Sequence, residues 1–434
     1  MSSKFSNSYT DTASNKRSVF SWCFYDWANT AFSTVIITFI FGVYFARSVV
    51  GDETAGSAQW SFAIAVSGIV IAILGPILGA VADNSGRRKF WIFWLSLLCI
   101  VPCSLLWFAT PDGSASHILF VLGLVALANV GLELSQVFYN AMLPHVAPKE
   151  KIGRVSGWAW GLGYLGGLTA LAISLFGFVG LGEIKPLIQL SEENGENIRI
   201  LGPFIAFWFL IFMLPLLFFT KDVEIEALKF KDALSKGLKQ LSQSIKNIKQ
   251  HKNLLRFLIA SAIYRDGLVT LFAIGGVYAA GQFGMEFTEI LIFAIGLNVT
   301  AGLGAFGFAY MDDKFGSKPT VIVSLLGLII IGSIILLISD KNIFLILSLG
   351  LGIFMGPVQA ASRTMISKLC RPDMITQSYG LYAFTGKSIS FLGPLAFGTM
   401  TTIFGTQQAG MASIILFWVV GLLILLKVKE INSH

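Results

Sequence analysis

Polar residues interrupt this chain at nearly regular intervals, and between them run apolar stretches close to the ~20 residues that a helix needs to cross a bilayer. Six lie in the first half, approximately Val19–Ala46, Ala58–Ala82, Phe90–Ala109, His117–Leu143, Val155–Leu181 and Gly202–Thr220. Six more follow, Asn253–Gly281, Thr288–Met311, Thr320–Ser339, Ile343–Ser367, Thr376–Phe404 and Gln408–Leu426. The pattern predicts an all-α membrane protein of twelve transmembrane helices, with both ends on one face. It divides into a polar disordered tail (1–18), a six-helix bundle (19–220), a connecting segment (221–252) and a second six-helix bundle with a short tail (253–434). In the connecting segment Leu234, Leu238, Leu241, Ile245 and Ile248 recur every three or four residues among lysines, which predicts an amphipathic helix lying on the membrane surface.

The two bundles repeat each other. The second apolar stretch ends in Gly75 and Gly79, spaced for close helix approach, and breaks into Asp83-Asn84-Ser85-Gly86-Arg87-Arg88-Lys89 before the third begins. Asp313 and Gly316 stand 230 positions after Asp83 and Gly86, again between two apolar stretches. Gln136, Met142 and Gly157 return as Gln359, Met365 and Gly380, each 223 positions on. Two six-helix repeats running in the same direction imply a pseudo-two-fold axis along the membrane normal. That is the architecture of the major facilitator superfamily, whose loop signature the Asp83–Lys89 segment resembles.

Composition agrees: 55% of the residues are hydrophobic and only 13% charged, against about a quarter charged in soluble proteins. The net charge of +7 needs no nucleic-acid partner, because most of the 31 Lys and Arg fall in the tails and in loops after even-numbered stretches. Arg47, Lys185, Arg199 and Lys341 lie on the other face, so the positive-inside rule makes both ends cytoplasmic. Catalytic and cofactor signatures fail. Gly380–Ser388 resembles a phosphate-binding loop but has five residues where four are required, inside an apolar stretch. No HExxH or GxSxG occurs, and the four cysteines and four histidines are scattered without metal-like spacing, so neither an enzyme nor a cofactor is expected.

Six ionisable residues fall inside the apolar stretches: Asp26, Glu133, Arg265, Asp266, Arg363 and Lys387. Each costs roughly 2.5–3.5 kcal/mol at a helix centre, too much to carry without a use. Two readings stand. The charges pair and lock the halves together, or several line a watery cavity where a substrate binds. Asp26-x-x-x-Thr30-x-Phe32 is echoed by Asp266-x-x-x-Thr270-x-Phe272, which predicts polar stripes facing the partner half. Asn29 belongs to the first stripe. Glu133 has no basic neighbour in sequence, and is either a proton carrier or the permanent partner of Arg265 or Arg363. Trp158 and Trp160 are interfacial anchors or a face for a cationic substrate group.

Tyr25-Asp26-Trp27-Ala28-Asn29-Thr30-Ala31-Phe32, Tyr139-Asn140-Ala141-Met142-Leu143-Pro144, Arg154-Val155-Ser156-Gly157, Gly163-Tyr164-Leu165-Gly166-Gly167, Ser362-Arg363 and Gly386-Lys387-Ser388 together resemble the vacuole-effluxer-like family of the major facilitator superfamily. Its fungal members are implicated in exporting amino acids after autophagy. The resemblance implies a secondary active transporter working by alternating access, and suggests amino acids or related zwitterions as substrate. Under it, Asp83, Gly86, Arg87 and Asp313 are expected to form a conformational latch. Lys387 or Arg363 would meet the substrate carboxylate, and Asp26 or Asp266 its ammonium. Efflux of larger amphipathic compounds and a non-transporting sensor on the same fold are the alternatives. The expected setting is a monomer in a bacterial inner (plasma) membrane rather than a vacuolar one, with a proton as a candidate coupling ion.

Overall fold

The structure, a computed structural model, describes residues 15–85, 87–111, 113–182, 184–222, 232, 235–239, 242 and 251–429. Eleven helices among them are long and apolar enough to span a bilayer. In chain order they are α1 (Lys16–Val49), α2 (Glu53–Ser85), α3 (Arg88–Leu105), α4 (Ala115–Val146), α5 (Ile152–Ser174), α6 (Leu201–Phe219), α7 (Lys252–Phe283), α8 (Phe287–Phe315), α9 (Ser317–Ile335), α10 (Lys341–Leu369) and α12 (Gln407–Leu426). The remaining passage, α11, is made of two shorter helices, Ile375–Ile389 and Leu392–Phe404. The break has a local cause, because the Pro394 ring sits where the carbonyl of Ser390 would project and brings no N–H. Twelve crossings therefore hold, one of them interrupted.

Two expectations shift at their edges. Lys16 to Ser18, placed by sequence in a disordered tail, form the first turn of α1, capped by the Asn15 side chain accepting from Arg17 N at 3.1 Å; residues 1–14 lie outside the described residues. Leu234, Leu241, Ile245 and Ile248 of the amphipathic connecting helix also lie outside them. Of that stretch, Leu238 is exposed and Gly237 is buried against the backbone of Ala80 and Val81 near the end of α2. Within α1, the β-branched run at Val35–Ile37 widens the helix into a π stretch over Phe32–Phe39, where Thr38 Oγ1 donates to Ser33 O, five residues back.

The repeat seen in sequence is a repeat in space. Gly163 of α5 leaves room for the Thr30 side chain of α1, and Gly393 of α11 does the same for Thr270 of α7. Thr30 and Thr270 each donate to the carbonyl of the Asp one turn earlier, at 2.8 and 2.7 Å. The threonines of the two stripes thus face a helix of their own half, where missing glycine side chains leave room, while Asp26 of the first stripe meets Arg363 of the partner half as expected.

The halves meet along two seams, α2 on α11 and α5 on α8. Small residues set both. A Cβ on Gly79 would lie 2.7 Å from Thr376 O, and one on Gly157 would lie 2.5 Å from the Ala309 side chain. Each seam is fastened at the end bearing the basic loops, called here the basic face, by an aspartate from one half capping a helix of the other. Asp83, at the end of α2, accepts from Thr376 N and Gln377 N at the start of α11 (3.0 and 2.8 Å). Asp313, at the end of α8, accepts from Arg154 N at the start of α5 (2.9 Å), with Arg154 Nε at 3.2 Å. Gln377 and Arg154 are themselves 223 positions apart, so the two caps are one device used twice. A carboxylate at a helix N-terminus satisfies free N–H groups and the helix dipole together.

The arginine of this cluster is Arg88 rather than Arg87. Arg87 precedes the first turn of α3 and is exposed, whereas Arg88 opens the helix turned inward, 2% exposed, donating to Thr376 Oγ1 at 3.0 Å and to Asp83 at 3.4 Å. Gly86 lies outside the described residues. Replacing Asp83 and Asp313 together by Asn should loosen both seams at the basic face. Maleimide labelling of a Gln136→Cys reporter from that face, in a chain without its native cysteines, should then accelerate. Gly79→Leu should act in the same direction, and an unchanged labelling rate in both variants would refute the role given to the caps.

Candidate functional site

The intramembrane charges sort into three environments. The first is closed. Arg363 of α10 crosses into the first half, where its Nη1 donates to Asp26 Oδ2 (2.8 Å) and Asn140 Oδ1 (3.3 Å). Its Nε donates to Ser156 Oγ (2.9 Å) and its Nη2 to Ser156 O (2.6 Å). The rings of Trp22, Tyr139 and Trp160 surround the guanidinium at 5.0, 5.7 and 5.7 Å. Asn29 donates to Asp26 Oδ1 at 3.3 Å and to Tyr25 O at 2.9 Å, fixing the carboxylate from behind. Four of the five guanidinium N–H groups are thus engaged, and both charges are buried. In this conformation neither Asp26 nor Arg363 is free for a solute; of the two expectations, a lock between the halves or contact with a solute, this pair forms the lock.

The second environment is reachable. Lys387 Nζ lies 3.0 Å from Glu133 Oε1, and their side chains remain 28% and 36% exposed. Lys387 stands twelve residues into α11, about 18 Å along the helix at ~1.5 Å per residue. It sits three residues before the α11 break, where a cation also complements the end of a helix. The partner expected for Glu133 was Arg265 or Arg363. Lys387 takes that place because Arg363 is claimed by Asp26 and Arg265 turns elsewhere.

Arg265 and Asp266 form the third environment and point apart. Asp266 Oδ2 accepts from Gly393 N at 2.8 Å, capping the second segment of α11 just after its break. In this conformation one oxygen of Asp266 serves as a helix cap, while its Oδ1 is buried without a hydrogen-bond partner. Arg265 lies with its guanidinium 4.0 Å from the centre of the Tyr382 ring and beside Gly386, the residue before Lys387. No carboxylate among the described residues lies within ion-pair distance of it, and its Nη1 is enclosed without a hydrogen-bond partner. A guanidinium with an open donor, next to a Lys–Glu pair that solvent reaches, can receive an anionic group.

Several members escaped the sequence reading. Tyr382 and Trp22 carry no site signal in the sequence, and Tyr139 and Ser156 stand there only within the strings that carry the family resemblance. Asn140 carried a signal, since it stands 223 positions before Arg363, at the offset of the repeat. Gln359 Nε2 donating to Tyr164 Oη at 2.9 Å adds another contact between the halves. Every hydrogen bond between the halves among the described residues lies at the depth of the Lys387–Glu133 pair or nearer the basic face. At the opposite face the ion pairs, Arg47–Glu53 and Lys341–Glu289, each stay within one half.

Residues 48–433 match the family described as vacuole effluxer Atg22 like. The chain is 27% identical over 426 residues to the uncharacterized MFS-type transporter YxiO of Bacillus subtilis, covering 95% of each chain. It is 22% identical over 405 residues to autophagy-related protein 22 of Saccharomyces cerevisiae, covering 80% of this chain and 73% of that one. Among solved structures it resembles the major facilitator superfamily proton:xylose symporter XylE, with TM-score 0.75, 14% identity and coverage of 95% and 96%. It also resembles the fucose transporter FucP in the outward conformation, with TM-score 0.72, 13% identity and coverage of 95% and 98%. A multi-pass membrane protein with the major facilitator fold, the chain belongs to the vacuole effluxer Atg22-like family.

Proposed function

We propose that this protein is a secondary active transporter that carries amino acids or related small zwitterions by rocking its two halves about the central charges. One observation carries the substrate reading: Arg265, stacked on Tyr382 and beside Gly386, is an intramembrane cation that no carboxylate among the described residues neutralises. A substrate carboxylate fits that position, with Lys387 the next residue after Gly386. The conformation described is shut at the basic face, and among the described residues no hydrogen bond or ion pair joins the halves at the other. The basic loops make the shut side cytoplasmic, with both chain ends there. The nearly full-length likeness to a bacterial relative supports a plasma-membrane setting.

The Lys387–Glu133 pair is the coupling element in this account. While Glu133 is ionised it holds Lys387; once protonated it releases an ammonium that joins Arg265 in attracting a carboxylate. Substrate affinity and proton occupancy are then linked through one contact. Both solved relatives of similar fold named proton symporters, for xylose and for fucose, are compatible with such coupling on this architecture.

The direct test is counterflow of labelled amino acids in proteoliposomes; a protein that binds them without moving them is not a transporter. Arg265→Met should weaken substrate binding by about 10- to 100-fold, the loss of a charge-assisted contact worth roughly 1.5–3 kcal/mol. Arg265→Lys should recover only part of it, because an ammonium lacks the flat two-pronged donor that stacks on Tyr382. Equal affinity in Arg265→Met would remove it from the substrate site.

Glu133→Gln should abolish accumulation driven by a pH gradient while exchange persists. Lys387→Met alone should lose transport, and pairing it with Glu133→Gln should restore insertion and melting temperature without restoring accumulation. Accumulation regained in the double variant would make the pair merely structural.

A further inference from the structure

Arg363 is a residue of the second half seated in a receptor built by the first. The recess holds one carboxylate (Asp26), one amide oxygen (Asn140), the carbonyl and hydroxyl of Ser156, and three aromatic walls from Trp22, Tyr139 and Trp160. Anionic and carbonyl acceptors together with aromatic ring faces suit a guanidinium or an alkylammonium. The first half also keeps this shape by its own contacts. Trp22 Nε1 donates to Tyr139 O at 3.0 Å, the two rings stack at 4.4 Å, and Asn29 holds the Asp26 carboxylate. None of these contacts involves α10.

Arg363 lies six residues before the end of α10, and Ser156 four residues after the start of α5, so the recess sits toward the basic face. Rocking that opens this face draws α10 away from α1, α4 and α5 and takes the guanidinium with it. It leaves a desolvated aspartate and three ring faces without their cation, which is costly unless water or another cation enters.

We propose that this vacated recess is a binding site, open to the basic face, for the cationic group of a solute bearing a guanidinium or primary ammonium, and that Arg363 is its built-in competitor. The inference rests on the rocking of the halves proposed above. Solute and Arg363 exclude each other. The solute therefore binds only the state open at the basic face and stabilises that state by its differential affinity. The recess thereby recognises the cationic end, whereas Arg265 in the other state recognises the anionic one. A neutral polyol has nothing to offer Asp26 and is rejected.

Agmatine, which carries a guanidinium and an ammonium but no carboxylate, probes this site without engaging Arg265. With purified full-length protein, agmatine should bind the Asp83→Asn/Asp313→Asn variant at least tenfold more tightly than the unaltered chain, and should speed labelling of Gln136→Cys from the basic face. Adding Asp26→Asn to that variant should remove the binding, and Trp160→Leu should weaken it, giving a second reading if the aspartate variant does not fold. In Arg363→Ala the recess is empty in every state, so millimolar agmatine should raise the melting temperature of that variant and leave the unaltered chain nearly unmoved. Agmatine binding that is indifferent to Asp26 and Trp160, or the absence of stabilisation in Arg363→Ala, would overturn the proposal. Should agmatine fail while Arg265-dependent counterflow persists, this site alone is wrong; should agmatine bind as described while counterflow is absent, the transport reading is wrong and the recess stands.

Discussion

A charge held between two helical bundles in a membrane must find an opposite charge or a set of dipoles, and this constraint organises the interface between the halves. Asp26 and Arg363 show it most fully. Removing either partner of such a buried pair costs about 3–5 kcal/mol, because the other is left uncompensated, so the pair is worth more as a condition on geometry than as net stabilisation. The two halves are held in one relative position at the basic face because only there do the carboxylate of Asp26, the carbonyl of Ser156 and the guanidinium of Arg363 meet. The aspartate caps of Asp83 and Asp313 set the same condition at the two outer seams. Moving the halves means exchanging these partners for others.

Where the two repeats agree, they build the scaffold; where they differ, they build the site. Asp83 and Asp313, Thr30 and Thr270, and Gly163 and Gly393 are paired features that place equivalent helices at equivalent distances. The position of Arg363 is occupied in the first repeat by Asn140, and Glu133 corresponds to Gly356 at the same offset. Arg363 and Glu133 therefore have no charged copies in the other repeat. Arg265 stacks on Tyr382 without a carboxylate partner among the described residues, and Lys387 pairs with Glu133.

The twelve crossings and the pseudo-two-fold axis were legible in the sequence, because bilayer thickness fixes segment length and the two repeat offsets fix the correspondence of helices. The interruption of α11 was legible in principle at Gly393-Pro394, but apolarity continues across it and hides the break. Which face of each helix a charged residue occupies was not legible. Arg87 and Arg88 differ by one position, but Arg87 stands before the first turn of α3 with a non-helical backbone and is exposed, whereas Arg88 opens the helix turned inward. Glu133 and Lys387 are 254 residues apart, and their contact depends on packing that no local pattern encodes. Asp266 looked equivalent to Asp26, yet the helix break beside it offers a backbone N–H that Asp26 never meets. Tertiary context assigned different work to two copies of one motif.

The account as a whole rests on the halves moving as rigid bodies about the central charges. Paired spin labels measure this most directly, one pair at Glu150 and Arg371 on the basic face and another at Ser116 and Thr406 on the opposite face, all exposed positions. In the Asp83→Asn/Asp313→Asn background the basic-face distance should lengthen while the opposite-face distance shortens, the two changing in one conformational equilibrium. Lengthening at the basic face with no shortening at the other would mean local fraying of helix ends, and would contradict alternating access by rocking.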